Sequence, residues 1–311
     1  FLCCLNDEGV FADLVRDSVV KIFALNKKRG LDLSVIGRIM KIIRENNIQI
    51  VHTHMWGGNF WGRIAAKLTN TPVIIATEQN VDFWKRWYQK MFDRILSRVT
   101  DKIIVVSQQV KKFYGNNVKL PVSKMEVIYN CIPPSEKIPD KAYIQAIRNE
   151  FNIHNTNPII VNIGRLVPQK ANHVFIEALR ILDRKNIDFD AFIIGEGPLK
   201  ESLIRQGQDL IDKHKLTFTG LRKDVSRILD ATDISVLSSI TEGFSVVICE
   251  CMEKNIPVIA TDVGGNGEQI VNGETGYLVP PNNAEALANT MEKLIKDPAL
   301  AKKMGEAGHN R

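Results

Sequence analysis

The sequence of 311 residues lacks several features, and each absence excludes a class of protein. No apolar run approaches the ~20 residues that span a bilayer, and the opening FLCC lacks the charged start of a secretion signal. We therefore expect a cytoplasmic, non-secreted protein. No GxGxxG motif follows a strand and no GxxxxGK[ST] motif occurs, which argues against a dinucleotide enzyme and a P-loop nucleoside triphosphatase. The five cysteines lack CxxC spacing, so we expect reduced, mostly buried thiols and no zinc site.

Length and composition are those of an ordinary globular protein. Hydrophobic residues make up 44% and charged residues 24% of the chain, which excludes a largely disordered or fibrous protein. A chain of this length is long enough for two domains that each bury a core. The net charge of +6 suits nucleic acid, an anionic membrane or a phosphorylated substrate, and by itself does not choose among them.

Basic residues are concentrated in a segment with helical periodicity. They alternate with aromatic residues in the order Trp84, Lys85, Arg86, Trp87, Tyr88, Lys90, Arg94, Arg98 and Lys102. Two interpretations stay open: a solvated helix face whose aromatic side chains lie in the core, and a peripheral contact with an anionic membrane at its inner face. We expect no nucleic acid partner, because the chain has no recognisable RNA- or DNA-binding motif.

The apolar pattern predicts the same α/β architecture twice. In the first half, the apolar runs VVKIFAL, IQIVHTH, PVIIAT and DKIIVVS alternate with amphipathic segments. The second half shows the same alternation, with the apolar runs PIIVNIG, DAFIIGEGP, KLTFTG, DISVLSS, IPVIAT and GYLVPP. Apolar strands separated by helices of period 3.6 indicate parallel sheets covered on both faces. The Pro-bearing stretch after Asn130 interrupts the pattern, and we place a domain boundary there, with domains over residues 1–134 and 135–311.

Two cations follow one predicted strand of the second half. Gly164 and Arg165 come directly after PIIVNI, and Lys170 lies five residues later, at the predicted start of the next helix. The carboxyl ends of parallel strands carry the ligand site in open α/β sheets. An Arg fork and a Lys charge at this position suit a diphosphate and the charge that it acquires as a leaving group. Two solvated surface cations are the alternative.

Two carboxylates are eight residues apart in EGFSVVICE. Glu242 is predicted in a Gly-containing loop and Glu250 in the following helix, and eight helical residues correspond to about 12 Å. The pair suits hydroxyl groups at the two ends of a nucleotide sugar, with the amides of Gly243, Phe244 and Ser245 near its phosphate or hexose. A helix N-terminal Glu stabilised by the helix dipole, together with an unrelated surface Glu, is the alternative.

Histidines and glycines mark two further strand ends. His52 and His54 leave the strand IQIV, and we expect at least one imidazole to face a ligand and donate a hydrogen bond. A structural role for both is the alternative. The loop from Gly264 to Glu268 follows PVIAT, and its flexible backbone is suited to a close approach to a ligand.

Several of these segments together resemble a known family. The segments in the second half are GRLVPQK, IIGEGP, EGFSVVICE, VGGNGEQI and GETGYLVPP. Those that extend the match through the first half are HTHMWGGNFWG, IIVVS and VIYNCIP. The chain is similar to the retaining GT-B glycosyltransferases called group 1, or family 4-like. This resemblance implies two facing Rossmann-like domains with a cleft between them, the first on the acceptor side and the second binding the nucleotide sugar. It also implies that the chain lacks the family's first strand, Gly-rich loop and helix, and its final crossover helix.

The resemblance also implies a role for each candidate residue. Arg165 and Lys170 would bind the diphosphate, and Glu250 the ribose. Glu242 would hold the hexose hydroxyls, and His54 would reach the hexose from the first domain. The catalytic candidates are thus His54, Arg165, Lys170 and Glu242. The donor-binding candidates are Gly164, Arg165, Lys170, Glu242, Gly243, Phe244, Ser245, Glu250 and Glu268.

The implied activity is transfer of a hexose from a UDP- or GDP-linked donor to a sugar or lipid-linked acceptor, in cell-surface polysaccharide or glycolipid synthesis. We expect front-face attack with retention of configuration, because no well-placed nucleophile is evident. A non-catalytic nucleotide-sugar-binding protein and a GT-B-like sugar-nucleotide epimerase are the alternatives.

We expect no cofactor and no metal. Asp188 and Asp190 spell the DxD motif that metal-dependent glycosyltransferases of the other main fold use, but both precede the strand AFIIG. They would therefore lie in a turn at the edge of the sheet opposite the ligand edge.

Overall fold

The computed structural model describes residues 1–9, 12–18, 21–133, 141–151, 153 and 156–311. Contacts within the chain divide it into two compact units, Phe1–Tyr129 and Asn130–Arg311. The domain boundary predicted between residues 134 and 135 lies outside the described residues.

The part of the first unit that the structure describes contains two parallel sheets. Strands β1 (Leu2–Cys4) and β2 (Ile22–Ala24) pair with each other. The second sheet has its four strands in chain order: β3 (Ile50–His54), β4 (Val73–Glu78), β5 (Lys102–Val105) and β6 (Met125–Val127).

Amphipathic helices cover the four-stranded sheet of this unit. The α-helices in its described residues are α1 (Ala12–Val15), α2 (Ser34–Glu45), α3 (Met55–Leu68), α4 (Trp87–Ser97) and α5 (Gln108–Phe113). In α2, Val35, Ile39 and Ile43 recur every four residues, are buried, and pack with Trp61 and Ala65 of α3. This repeat places all three side chains on one helix face, which makes the segment a helix that packs on its neighbour.

In the described residues of the second unit, six strands form one parallel sheet. They are β7 (Ile159–Ile163), β8 (Asp190–Ile194), β9 (Leu216–Gly220), β10 (Ile234–Leu237), β11 (Val258–Thr261) and β12 (Gly276–Val279). Their spatial order is β12-β11-β10-β7-β8-β9. This is the order of a Rossmann sheet, and its direction reverses between β7 and β10.

Helices cover both faces of this sheet. They are α6 (Lys141–Glu150), α7 (Asn172–Arg184), α8 (Lys200–Gln206), α9 (Gln208–Asp212), α10 (Val225–Leu229), α11 (Val246–Glu253), α12 (Asn266–Gln269), α13 (Ala284–Lys296) and α14 (Pro298–His309). Alternate residues of β7 enter two cores: Ile160 packs with Phe175 of α7, whereas Ile159 and Val161 belong to the core that contains Ile248 of α11. Burial on both faces explains why the strands are continuous apolar runs.

The predicted fold class is confirmed as α/β with parallel sheets in two Rossmann-like units. Each apolar run listed above as a strand contains one. Two strands were not predicted, β1 and β6, and each has only three residues. Among the described residues, no helix has both the length and the apolar character needed to cross a membrane.

Two expectations about side chains are wrong. The basic segment is not one helix, since α4 ends at Ser97 and Lys102 begins β5. Its Lys85 is buried, while Trp84 and Trp87 are 54% and 75% exposed, so these two aromatic side chains do not lie in the core. The thiols are free as expected but not mostly buried: of the five, Cys251 alone is buried, and Cys3 and Cys131 are exposed.

Candidate active site

The carboxyl ends of β7 and β10 lie side by side where the strand order reverses. The loop after β7 contains Gly164, Arg165 and Lys170, and the loop after β10 contains Glu242. At such a reversal the two loops leave the sheet on opposite sides and open a crevice in which ligands bind. The fold therefore brings both predicted cations and one predicted carboxylate to the same edge.

The loop after β8 closes against the loop after β7. The Leu166 amide donates to the Glu196 carbonyl at 2.9 Å. A Cβ atom at Gly195 would lie 2.0 Å from the Gly164 carbonyl oxygen. Only glycine fits this contact, so the GEGP segment holds the strand exit that carries Arg165.

The GGNGE loop after β11 packs against the Glu242 loop in the same way. Gly264 has a φ of 54°, and a Cβ there would lie 1.8 Å from the Glu242 carbonyl oxygen. The Gly265 amide donates to the Gly243 carbonyl at 2.9 Å. The close contact at Gly264 requires a residue without a Cβ atom, and together with the Gly265 hydrogen bond it supports the backbone of the Glu242 loop.

Lys170 and Glu242 form an ion pair. The Lys170 Nζ donates to Oε1 of Glu242 at 2.6 Å, and the Ser239 hydroxyl donates to the same oxygen at 2.6 Å. The Ser238 hydroxyl donates to the Lys170 carbonyl at 2.9 Å. The next residue, Ala171, has a φ of 44°. A left-handed backbone at a residue with a Cβ atom is strained, so glycine would adopt this conformation at lower cost.

Among the described residues at this edge, the charged side chains of Arg165 and Glu250 have no protein partner. Arg165 is exposed, and Glu250 lies half-buried in α11; neither side chain makes a hydrogen bond or ion pair within the described residues. Burial raises the pKa of Glu250. Burying a carboxylate without a hydrogen-bond donor costs free energy, and a ligand hydroxyl can supply that donor to Glu250. The exposed guanidinium of Arg165 is available to an anionic group of the ligand.

The spacing argument for Glu242 and Glu250 needs correction. Helix α11 begins at Val246, so Glu242 lies in the preceding loop and a helical rise of about 12 Å does not separate the two. Glu242 and Glu250 have different surroundings because one lies in the loop and the other in the helix. Glu242 is held by Lys170, whereas Glu250 belongs to the second turn of the helix.

The start of α11 is tied down by Gln269, which the sequence analysis did not single out. Its side chain accepts from the Ser245 amide at 2.9 Å and donates to the Ser245 carbonyl at 2.8 Å. The Phe244 carbonyl accepts from Asn130 Nδ2 at 3.0 Å. The Ser245 amide is thus already bonded, which counts against its predicted contact with phosphate. Glu268, next to Gln269, is partly exposed, and its carbonyl accepts from Arg311 at 3.0 Å.

In the first unit, the two predicted histidines lie together at the carboxyl end of β3. Their rings are 4.3 Å apart; His52 Nε2 lies 2.7 Å from Thr77 Oγ1, and His54 Nδ1 lies 3.3 Å from Gln79 Nε2. Burial lowers the pKa of both, which favours neutral imidazoles at pH 7. Met55 follows with a φ of 61°, a strained conformation of the kind that is found at functional sites.

A buried ionic cluster follows β4, and nothing in the sequence pattern predicted it. Lys85 donates to Asp93 at 2.8 Å and to Glu78 at 3.3 Å, and the Tyr114 hydroxyl donates to Glu78 at 2.6 Å. Burial raises the pKa of both Glu78 and Asp82. The cluster joins the end of β4 to α4 and holds Lys85 inside the unit.

The described residues contain no group of three or more His, Cys, Asp or Glu that is suited to a metal ion. Asp190 is the first residue of β8, and Asp188 precedes it with an ion-pair distance of 3.6 Å to Lys215. Both lie at the amino end of the strand, as predicted. The predicted turn is wrong for Asp190, which is a buried residue of β8 and pairs with Ile159 of β7.

Comparison with known families identifies the family of this chain. Residues 144–311 match the family model of the glycosyl transferases group 1, and residues 1–136 match that of Glycosyltransferase Family 4. The chain belongs to the group 1 glycosyltransferases.

This glycosyltransferase is similar to proteins of known name. It is 25% identical over 308 residues to the UDP-Gal:alpha-D-GlcNAc-diphosphoundecaprenol alpha-1,3-galactosyltransferase of Escherichia coli, a match that covers 95% of this chain and 80% of the relative. It is 26% identical to the capsular polysaccharide biosynthesis glycosyltransferase CapM of Staphylococcus aureus, covering 90% and 76%.

Solved structures share the fold of this glycosyltransferase. Anabaena Alr3699/HepE in complex with UDP and glucose has a TM-score of 0.87 at 20% identity, and the match covers 99% of this chain and 85% of that one. A glycosyltransferase from Rickettsia africae ESF-5 has a TM-score of 0.82 at 26% identity, covering 97% and 82%. The predicted family is confirmed, while the roles of the individual site residues stay predictions.

Proposed function

We propose that this glycosyltransferase moves a hexose from a UDP- or GDP-linked donor to a sugar or lipid-linked acceptor, with retention of configuration and without a metal. We further propose that it acts in cell-surface polysaccharide or glycolipid synthesis in the cytoplasm. The observation that carries the proposal is the convergence of Arg165, Lys170 and Glu242 at the strand reversal, together with Glu250 on α11, whose side chain has no partner among the described residues. The names of the E. coli and S. aureus relatives support the process, and the Anabaena complex supports a uridine nucleotide.

The proposed chemistry uses these groups without a covalent intermediate. The bond between the hexose C1 and the diphosphate oxygen breaks, and a bond from the acceptor oxygen to C1 forms on the same face. The acceptor proton passes to the departing diphosphate. Arg165 and Lys170 stabilise the charge that develops on the diphosphate, Glu242 and His54 orient the hexose, and Glu250 holds the ribose.

Calorimetric binding of UDP-, GDP- and ADP-sugars in EDTA tests the donor site. We expect tight binding of one donor, lost by more than tenfold in Arg165→Ala and in Glu250→Ala, because each removes a charge-assisted contact. Binding that is unchanged in both variants would contradict the site. Donor binding with no transfer to any acceptor would favour the non-catalytic alternative, and a product of inverted configuration by NMR would rule out retention.

A second observation favours a peripheral contact with an anionic membrane. Five exposed side chains form an apolar stripe on and before α4: Phe83, Trp84, Trp87, Met91 and Ile95. A basic stripe accompanies it at four-residue intervals: Arg86, Lys90, Arg94 and Arg98. An interfacial helix combines these two features, with apolar side chains entering the headgroup region and cations binding anionic lipid.

The charge of the chain agrees with this surface. Residues 1–129 contain 20 Lys and Arg against 11 Asp and Glu, whereas residues 130–311 contain 21 against 24. The whole positive excess therefore belongs to the unit that carries α4. We propose that this unit contacts the inner face of the membrane, where a lipid-linked acceptor would lie.

Cosedimentation with vesicles tests the membrane contact. We expect binding to phosphatidylcholine mixed with phosphatidylglycerol and not to phosphatidylcholine alone. Trp84→Ala with Trp87→Ala should abolish binding, and Lys90→Gln and Arg98→Gln should each weaken it about fivefold. Leu221→Ala, which removes an exposed apolar side chain from the second unit, is the matched control. Wild-type protein that stays in the supernatant with anionic vesicles would refute the contact.

A further inference from the structure

The Lys170–Glu242 ion pair places a negative charge beside the cation that is meant to receive a diphosphate. The side chains of Lys170 and Glu242 are only 22% and 11% exposed. Water therefore screens this pair less than it would a surface pair. Any anion that binds Lys170 experiences the Glu242 carboxylate at short range as well.

The two carboxylate oxygens of Glu242 differ in their surroundings. Oε1 accepts from both Lys170 and Ser239, and within the described residues Oε2 makes no hydrogen bond. The carboxylate can thus accept from a ligand hydroxyl through Oε2 while Oε1 keeps its contact with Lys170. A ligand without such a hydroxyl meets only the negative charge.

We propose that Glu242 makes the site discriminate between a nucleoside diphosphate sugar and the free nucleoside diphosphate. This inference rests on the proposed function, in which both bind at this edge. The terminal phosphate of a nucleoside diphosphate is not esterified, so it carries an additional negative charge and is repelled by Glu242. A sugar-bearing donor has less phosphate charge there and donates hexose hydroxyls to Oε2. Glu242 thereby favours entry of the donor and departure of the diphosphate after transfer.

Calorimetry on Glu242→Gln and Glu250→Gln tests this inference with UDP and UDP-glucose, and in parallel with GDP and GDP-mannose, in EDTA. Glu242→Gln should bind the free diphosphate about fivefold more tightly than wild type and the sugar-bearing donor no more tightly. Glu250→Gln also removes one carboxylate but has no contact with Lys170. It should weaken both ligands equally and leave the ratio of their affinities unchanged.

A second background separates direct repulsion by Glu242 from a competition between Glu242 and the diphosphate for Lys170. In Lys170→Met, the further change Glu242→Gln should still raise the affinity for the free diphosphate at least as much as it does in wild type, because Lys170 no longer offsets the charge of Glu242; an effect confined to the background with Lys170 would overturn direct repulsion. An unchanged affinity ratio in Glu242→Gln, with wild type still binding a donor, would overturn this inference alone. If wild type bound none of the four probes, the proposed function would fall and this inference with it. Equal circular dichroism of all variants verifies that they are folded.

Discussion

At the scale of single residues, the strained backbone at Met55 has a cost that can be measured. Met55 has a φ of 61° and is 63% exposed, so its side chain contributes little packing to offset the strain. We expect Met55→Gly to raise the free energy of unfolding by about 1 kcal/mol, because glycine adopts this conformation without a Cβ clash. Urea unfolding measures it. Met55→Ala keeps the Cβ and should leave the stability unchanged; equal effects of the two changes would refute strain as the cause.

The raised pKa of Glu250 predicts how nucleotide binding depends on pH. Binding to ribose hydroxyls uses the ionised carboxylate as an acceptor, and burial raises its pKa above the ordinary 4.5. As the pH falls from neutral through the raised pKa, the carboxyl is protonated and the affinity of wild type should decrease. Glu250→Gln has no such group. The ratio of the wild-type and variant dissociation constants for UDP should therefore change with pH, and a constant ratio would contradict the role.

At the scale of secondary-structure elements, the ionic cluster after β4 joins that strand to α4. Lys85→Ala should cost roughly 3–5 kcal/mol of unfolding free energy, because it leaves the buried carboxylates of Glu78 and Asp82 without their cation, whereas Asp93 keeps its ion pair with Arg63. Arg86→Ala, at the neighbouring exposed position, should cost less than about 0.5 kcal/mol. Denaturant unfolding of both variants measures these two losses of unfolding free energy. Similar losses would contradict the role assigned to the buried Lys85.

The same cluster predicts a pH dependence. Burial raises the pKa of Glu78 and Asp82, while Lys85 opposes this effect by lowering both. Without Lys85 these carboxyls should bind protons at higher pH than in wild type. The difference in stability between wild type and Lys85→Ala should therefore be largest at neutral pH and become smaller on acidification. A difference that stayed constant would mean that the loss comes from packing and not from charge.

At the scale of the whole molecule, the two units should respond differently to nucleotide. Arg165, Lys170 and Glu250 all belong to the second unit. At a UDP or GDP concentration about a hundredfold above the dissociation constant, that unit should gain about 2.7 kcal/mol of stability. Scanning calorimetry should show the shift mainly in one transition, and Arg165→Ala should reduce it. A shift that Arg165→Ala leaves intact would place the nucleotide elsewhere.

The sequence by itself determined the architecture and the family. The six strands of the second sheet were predictable because both of their faces are buried, which makes each a continuous apolar run followed by a loop. Strands β1 and β6 were not predicted; their length of three residues is not the reason by itself, since β2 is equally short and lies in the predicted run VVKIFAL. Position after these runs selected Arg165, Lys170 and Glu242 as site candidates, and the spacing from Glu242 selected Glu250, while the role of each came from the resemblance to the family.

Only the tertiary structure decided what those side chains contact. Lys170 and Glu242 are 72 residues apart in sequence and pair because the strand order puts β7 beside β10. The contact of Lys85 with Tyr114, 29 residues away, and the hydrogen bonds of Gln269 to Ser245, 24 residues away, likewise join partners distant in the chain. Periodicity reports which side of an element is buried on average, whereas a hydrogen bond or an ion pair depends on which two atoms the packing brings within reach of each other.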